Sequence, residues 1–273
     1  MTTFIAWVGA DSRGTASVNF ATDSRISWGV SGNVHWDMAR KTFSSNVSAD
    51  IFAYVNDVMF PSMVLGQIIN AIDNGVFFGS DDRCEVRFSK VAEYIKNSHK
   101  LYPREYRESF CIFHGARVGT GFESEFAINI ISWDKRTTNW EIARVSIPST
   151  SSAIRIDGSG KNVVSKWSER WSSSSQGGTS RAVFSSFCNA VYSGDDKFTS
   201  GVPQIVSLYR KDFGKTIGFV DSGKAFLSGA ELSLSKNAIN SNVEWRNRYL
   251  ERCDIFGNLI FGAKKHHIPK GLT

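Results

Sequence analysis

The sequence lacks most features that would assign it to a specialised class. No apolar run approaches the roughly 20 residues of a membrane-spanning helix. No basic stretch leads into a short apolar segment near the start, so no secretory signal is expected and the cytoplasm is the expected compartment. The four cysteines, Cys84, Cys111, Cys188 and Cys253, are far apart and form no Cys-x-x-Cys pair. That spacing argues against a disulfide frame and a zinc site, so free thiols in reducing surroundings are expected, with no metal and no cofactor. No Gly-x-Ser-x-Gly motif accompanies His35, His99 or His114, which removes the usual serine-hydrolase signature. No internal repeat is present. The net charge is +6, but its Lys and Arg are scattered apart from Lys264-Lys265-His266-His267. That run reads as a solvated tail, so neither nucleic acid nor a membrane is expected as a partner.

What is there is an ordinary globular composition, 41% hydrophobic and 21% charged over 273 residues. A chain of this length can bury a full core, as one domain or a domain with an appendage. Residues 4–8 are apolar and β-prone, and residues 16–22 are β-prone, with a Gly-containing turn between them. The pair predicts a hairpin. Ile51 to Val55 predicts a buried strand. Phe60, Val64, Ile68 and Ile72 recur at helical spacing, Pro61 suits a first turn and Asn74-Gly75 a helix end. A second helix is expected from Phe88 to His99. Strands are expected at Phe110 to Ala116, Glu125 to Trp133, Trp140 to Ile147 and Ala153 to Ile156. Helices follow at Lys161 to Trp171 and Arg181 to Tyr192, then strands at Gln204 to Tyr209 and Thr216 to Val220. Trp245 to Leu250 suggests a helix end and Asp254 to Phe261 a hairpin. Strand runs separated by helix runs favour segregated layers over a parallel sheet. An α+β chain built as a four-layer αββα sandwich satisfies that order.

Thr2 stands directly behind the initiator methionine, where a small side chain permits methionine removal. A freed N-terminal threonine carries its own base, because its α-amine titrates near pH 8 (roughly 7.7–8.0). A threonine at that place is common and by itself proves nothing. The downstream residues raise its interest.

Thr2-Thr3-Phe-Ile-Ala, Phe20-Ala21-Thr22-Asp23-Ser24-Arg25, Arg40-Lys41, Gly158-Ser159-Gly160 and Tyr192-Ser193-Gly194 occur in that order. The pattern resembles the proteasome β-subunits and related bacterial proteasome-like proteins, a family of N-terminal-nucleophile hydrolases. It covers about residues 2–220. The resemblance implies a peptidase domain over residues 1–234, with residues 235–273 a C-terminal extension. It implies Thr2 as nucleophile and Lys41 as the cation that lowers the pKa of its hydroxyl. Asp23 is implied as the partner of Lys41, with Ser159 and Ser193 as polar groups near the α-amine. The implied specificity pocket is lined by Ile26, Ala39, Phe43 and Tyr54, all uncharged, so an apolar substrate side chain is expected. The implied assembly is a homo-oligomer, a ring or helical stack, acting on unfolded protein or peptides, with an ATPase unfoldase as a further partner. Two departures stand out. Ala190 occupies the position of a family aspartate, so the contact to the amine either falls to Asn189 or is lost. Tyr54-Val55-Asn56-Asp57 lacks the glycine turn whose backbone N–H stabilises the oxyanion. A catalytically silent structural subunit and a small-molecule amidase on the same fold are the competing readings.

Overall fold

The computed structural model describes residues 2–29, 31–233 and 242–272. In order, the chain forms β1 (Thr3–Asp11), β2 (Gly14–Thr22), β3 (Ile26–Trp28), β4 (Val34–Trp36), β5 (Thr42–Ser44), β6 (Asp50–Asn56), α1 (Met59–Asp73) and α2 (Cys84–Leu101). There follow β7 (Phe110–Val118), β8 (Glu125–Asp134), β9 (Asn139–Val145), β10 (Ser152–Gly158), α3 (Lys161–Ser172), α4 (Ser180–Tyr192), β11 (Gln204–Tyr209) and β12 (Lys215–Asp221). The last elements are β13 (Lys224–Leu227), β14 (Ala230–Glu231), β15 (Trp245–Arg246) and β16 (Arg252–Cys253). The chain is α+β. One sheet runs β10-β1-β2-β11-β12-β13-β14, with β15 attached to β12 and β16 to β15, and a second runs β5-β6-β7-β8-β9.

β1 shows why the first apolar run has no polar alternation. Phe4, Ala6 and Val8 join a cluster with Ile51, Ala53, Phe113 and Ile130 of the second sheet. Ile5 and Trp7 join another with Phe184 and Phe187 of α4. A strand covered on both faces has no position left for water, so its residues read as a continuous apolar run. Phe4 stacks on Phe113 with ring centroids 3.8 Å apart, joining the two sheets. The outer face of the second sheet (Phe52, Tyr54, Ile112, Ile131) packs on α1 and α2 through Val64, Leu65, Ile68 and Ile95.

α1 begins where expected. The Asp57 carboxylate accepts the N–H groups of Val58, Met59 and Phe60, which are donors that a helix start otherwise leaves unsatisfied. The helix is not apolar all round. Phe60, Pro61, Val64, Leu65, Ile68 and Ile72 are buried within this chain. The outward side mixes exposed Met59 and Met63 with exposed Gly66, Gln67 and Asn70.

Residues 245–250 differ from expectation, whereas the turn expected at Asp254 to Phe261 is closed by an antiparallel bridge between Cys253 and Leu259. Trp245–Arg246 does not end a helix but pairs parallel with β12 and antiparallel with β16. The Asn247 side chain turns the chain between these strands by accepting the N–H groups of Tyr249 and Glu251, a local bond that competes with helix formation. The Trp245 ring lies flat on Gly218, where a Cβ would come within 2.3 Å of it. The expected division at residues 234 and 235 lies outside the described residues. The four cysteines are all free and all buried, and they sit in different clusters.

Candidate active site

The centre of the site is set by the β1–β2 register. Phe4 pairs with Thr22, which brings Asp23, the next residue, opposite Thr3. Thr3 N donates to Asp23 Oδ1 at 2.9 Å, and Asp23 N donates to Thr3 O at 3.2 Å. The other Asp23 oxygen accepts from Arg25 N at 3.1 Å and Ser200 N at 3.3 Å. Lys41, one residue before β5, closes the set. Its Nζ donates to Asp23 Oδ1 at 2.8 Å and to Arg25 O at 2.5 Å. Both side chains of this pair are fully buried. Burial lowers the Lys41 pKa and the Asp23 charge opposes that shift. A buried ammonium is tolerated here because a carboxylate and a carbonyl replace its water.

Gln204 holds the two arms of the site together. Its side-chain amide donates to Ala39 O at 2.6 Å, Ser24 Oγ at 3.0 Å and Asp23 O at 3.2 Å, while its oxygen accepts Lys41 N at 3.0 Å. Arg25 reaches outward to a two-pronged pair with Asp37 at 2.7 and 2.8 Å. The Arg25 guanidinium beside Asp37 holds that carboxyl below its usual range.

Thr2 is fully buried, and its Oγ1 has no hydrogen-bond partner among the described residues. Met1 lies outside them. Thr2 O accepts Ser159 N at 3.0 Å. Gly158 is required at this contact: its φ is +89°, and a Cβ would lie 1.6 Å from Thr2 O. Ser159 is exposed and meets Thr2 through its backbone. The cap of α3 is Gly160, with no side-chain cap bond.

A chain of hydroxyls starts at the next residue. Gly160 N donates to Thr3 Oγ1 at 3.0 Å, and Thr3 Oγ1 bonds Thr199 Oγ1. Thr199 Oγ1 donates to Asp196 Oδ2 at 2.6 Å, so the Thr3 hydroxyl is the donor in the middle link. Ser193 joins no part of this network. It is exposed at the end of α4, where its Oγ donates to Ala190 O at 3.0 Å and accepts Asp195 N at 3.2 Å. Asn189 accepts Trp171 Nε1 at 2.9 Å, in the contact between α3 and α4. The carboxylate at the end of this hydroxyl chain is Asp196, from the loop after α4. The sequence reading passed over Asp196, Thr199 and Gln204. The one available signal was Asp196-Lys-Phe-Thr199-Ser-Gly201, just downstream of the Tyr-Ser-Gly match.

Of the four expected pocket residues, Ala39, Phe43 and Tyr54 are buried and Ile26 is partly covered. Tyr54 OH donates to Arg40 O at 3.1 Å, and burial raises the Tyr54 pKa. Asn56, at the end of β6, has φ +75°. That left-handed conformation is the one glycine usually supplies, and asparagine is among the few residues that adopt it readily.

No protein-family model matches the sequence, and no curated protein does. Solved structures do resemble the fold. Anbu (ancestral beta-subunit) from Yersinia bercovieri superposes with a TM-score of 0.51 at 7% identity, over 76% of this chain and 81% of that one. The helical assembly of the Anbu complex from Pseudomonas aeruginosa gives 0.50 at 10% identity, over 78% and 86%. Eukaryotic HslV from Trypanosoma brucei gives 0.47 at 11% identity, over 76% and 99%. The likeness to the two Anbu structures makes the fold a proteasome-like one.

Proposed function

We propose that this chain is a threonine-type peptidase, built as a four-layer αββα sandwich of the N-terminal-nucleophile type, with Thr2 as nucleophile once Met1 is removed. The observation that carries the reading is the fully buried Lys41–Asp23 pair bonded to the backbone N–H of Thr3, with the preceding residue, Thr2, carrying a buried hydroxyl that has no partner among the described residues. An ammonium has three donors, and Asp23 and Arg25 use two of them. A buried ion pair is a poor means of stabilising a fold, so its presence one residue from Thr2 points to chemistry.

In the reaction, the Thr2 hydroxyl attacks the amide carbon and gives its proton to the α-amine. The Lys41 charge favours the developing alkoxide. The oxyanion of the tetrahedral intermediate is met by a backbone N–H at the Asn56 turn, which takes the conformation of a glycine turn without glycine. Collapse breaks the C–N bond, and the leaving amine takes the proton back from the α-ammonium. Water then hydrolyses the Thr2 ester by the same groups. Asp196 and Thr199 fill the role first assigned to Ser193, by orienting the Thr2–Thr3 end of β1. The substrates are unfolded protein or peptides, and the active form is a cytoplasmic homo-oligomer, a ring or helical stack, which an ATPase unfoldase would supply.

The test has two parts. Intact mass should show loss of Met1. Fluorogenic peptides should be cleaved by the wild type, partly by Thr2→Ser, and by neither Thr2→Ala nor Lys41→Ala. Cleavage by Thr2→Ala at the wild-type rate ends the proposal.

A further inference from the structure

A second concentration of buried charge lies at the other end of β6. Asp50 opens that strand, about 20 Å from the Asn56 turn at roughly 3.3 Å per residue. Asp50 is fully buried. Its Oδ1 meets His114 Nε2 at 2.7 Å and its Oδ2 meets Arg87 at 3.0 Å, and Ser48 Oγ donates to it as well. Burial lowers the His114 pKa despite Asp50, so the single negative charge answers Arg87. Two more guanidiniums lie beside this group. Arg83 is exposed at the start of α2. Arg117, at the end of β7, is only 5% exposed.

Arg117 has no carboxylate partner among the described residues. Its two terminal nitrogens donate to Gly119 O and to Asp212 O, the latter at 2.6 Å, and its Nε is buried without a partner. Carbonyl dipoles satisfy donors but do not cancel a charge, and the carboxylates that act on Arg117, Asp212 and Asp50, do so without an ion-pair contact. Arg83, Arg87 and Arg117 line one cavity of about 560 Å³, together with Ser48 and Phe213. Arg83 is also the cap residue of the 18-residue α2, and no side chain caps that helix. The positive end of the helix dipole therefore adds to the same wall. Acidic groups are present too. Asp81, Glu123 and Glu125 are exposed, and Asp82 is bound to Lys90 at 2.6 Å. Arg117 is the buried guanidinium of this lining, Arg87 is partly covered, and Arg83 stands exposed among the acids.

We propose that this cavity is an anion site that takes a phosphate dianion carried on a small molecule of nucleotide size. Arg87 is paired with Asp50, which leaves Arg83 and Arg117 as the lining guanidiniums without an ion pair among the described residues. Guanidinium forks bind phosphate oxygens two at a time, which a carbonyl-bound Arg117 can adopt by releasing one carbonyl. The volume falls within the ordinary range for small-molecule sites, about 300–1,000 Å³. A phosphate fills a minor part of it, and the exposed Phe213 ring offers a stacking face for the remainder. The site is independent of Thr2 and of the peptidase reading.

Titration calorimetry on the full chain at constant ionic strength tests this, with adenosine monophosphate, inorganic phosphate and acetate as probes. Adenosine monophosphate and phosphate should bind and acetate should not. Arg83→Gln, an exposed change that leaves the core untouched, should weaken binding by about tenfold, the loss of one charge-assisted contact. Arg117→Met keeps the apolar stem and should weaken it at least as much, with circular dichroism checking that the variant folds. Absence of binding for both phosphate probes overturns the proposal. So does acetate binding equal to phosphate, or an unchanged affinity in Arg83→Gln. Binding of phosphate without adenosine monophosphate overturns the assigned ligand size.

Discussion

Asp23→Asn isolates the central ion pair with almost no change of shape. The carboxylate it removes accepts four donors: Lys41 Nζ, Thr3 N, Arg25 N and Ser200 N. Asparagine leaves one acceptor oxygen and turns two N–H groups toward the others. It also leaves Lys41 buried without a counter-charge, which costs about 3–5 kcal/mol when one partner of a buried pair is lost. With a urea slope of about 3 kcal/mol per M, the unfolding midpoint should fall by roughly 1–1.7 M. The pH dependence has a definite sign. Burial already places the folded Lys41 pKa below its ordinary value, and removing Asp23 lowers it further. The unfolded chain then binds more protons than the folded one between those two pKa values, so stability rises with pH in that window. Urea midpoints of Asp23→Asn should recover on going from neutral pH to pH 9. Asp23→Asn with Lys41→Met carries no buried charge, so its midpoint should exceed that of Asp23→Asn and lack the alkaline recovery. A midpoint for Asp23→Asn within error of wild type, or a double variant no more stable than the single, refutes the reasoning.

Further outcomes are expected. Thr2→Val replaces an unpartnered buried hydroxyl by a methyl group, so thermal melting should show unchanged or raised stability while peptide hydrolysis is lost. Asn56→Gly should keep activity and stability, whereas Asn56→Val should lose about 1–2 kcal/mol in urea unfolding, because a β-branched residue resists positive φ. Gly158→Ala should abolish turnover in the same peptide assay, since its Cβ would displace Thr2 O. Peptides varied only in the residue before the cleaved bond should show preference for apolar over acidic side chains, and light scattering should give several times the 30.3 kDa chain mass. A monomer that cleaves only small amides would favour the amidase reading.

Much of the fold was legible because burial writes itself into spacing. β1, β6 and α1 carry continuous or helical apolar patterns, and their bounds differ from expectation by a few residues at most. The β3–β4 ribbon was not legible. Its strands are three residues each and mostly exposed, with Trp28, Val34 and Trp36 facing outward, so no core imposes a period. The ion pair of the site was reached through the family resemblance, which implied Asp23 as the partner of Lys41, and the two side chains do meet at 2.8 Å. Asp196, Thr199 and Gln204 were harder, since loop hydroxyls and a single amide leave no periodic trace. Asn56 shows a different limit: the missing glycine was visible, but the backbone angle that replaces it was not.

The buried cysteines turn the molecule into its own unfolding gauge. Cys111 sits between the sheets, Cys188 between α4 and the first sheet, Cys84 at the start of α2 and Cys253 in the small C-terminal cluster. Burial raises every one of these thiols, Cys84 and Cys253 to about 11, so alkylation at neutral pH must wait for exposure. Each thiol then reports the opening of a different compartment, and mass spectrometry of alkylated peptides can rank them by protection. A thiol that reacts early, while the others stay silent, marks the layer that loosens first. Without any introduced label, the wild-type chain therefore supplies four internal clocks for the order in which its parts come apart.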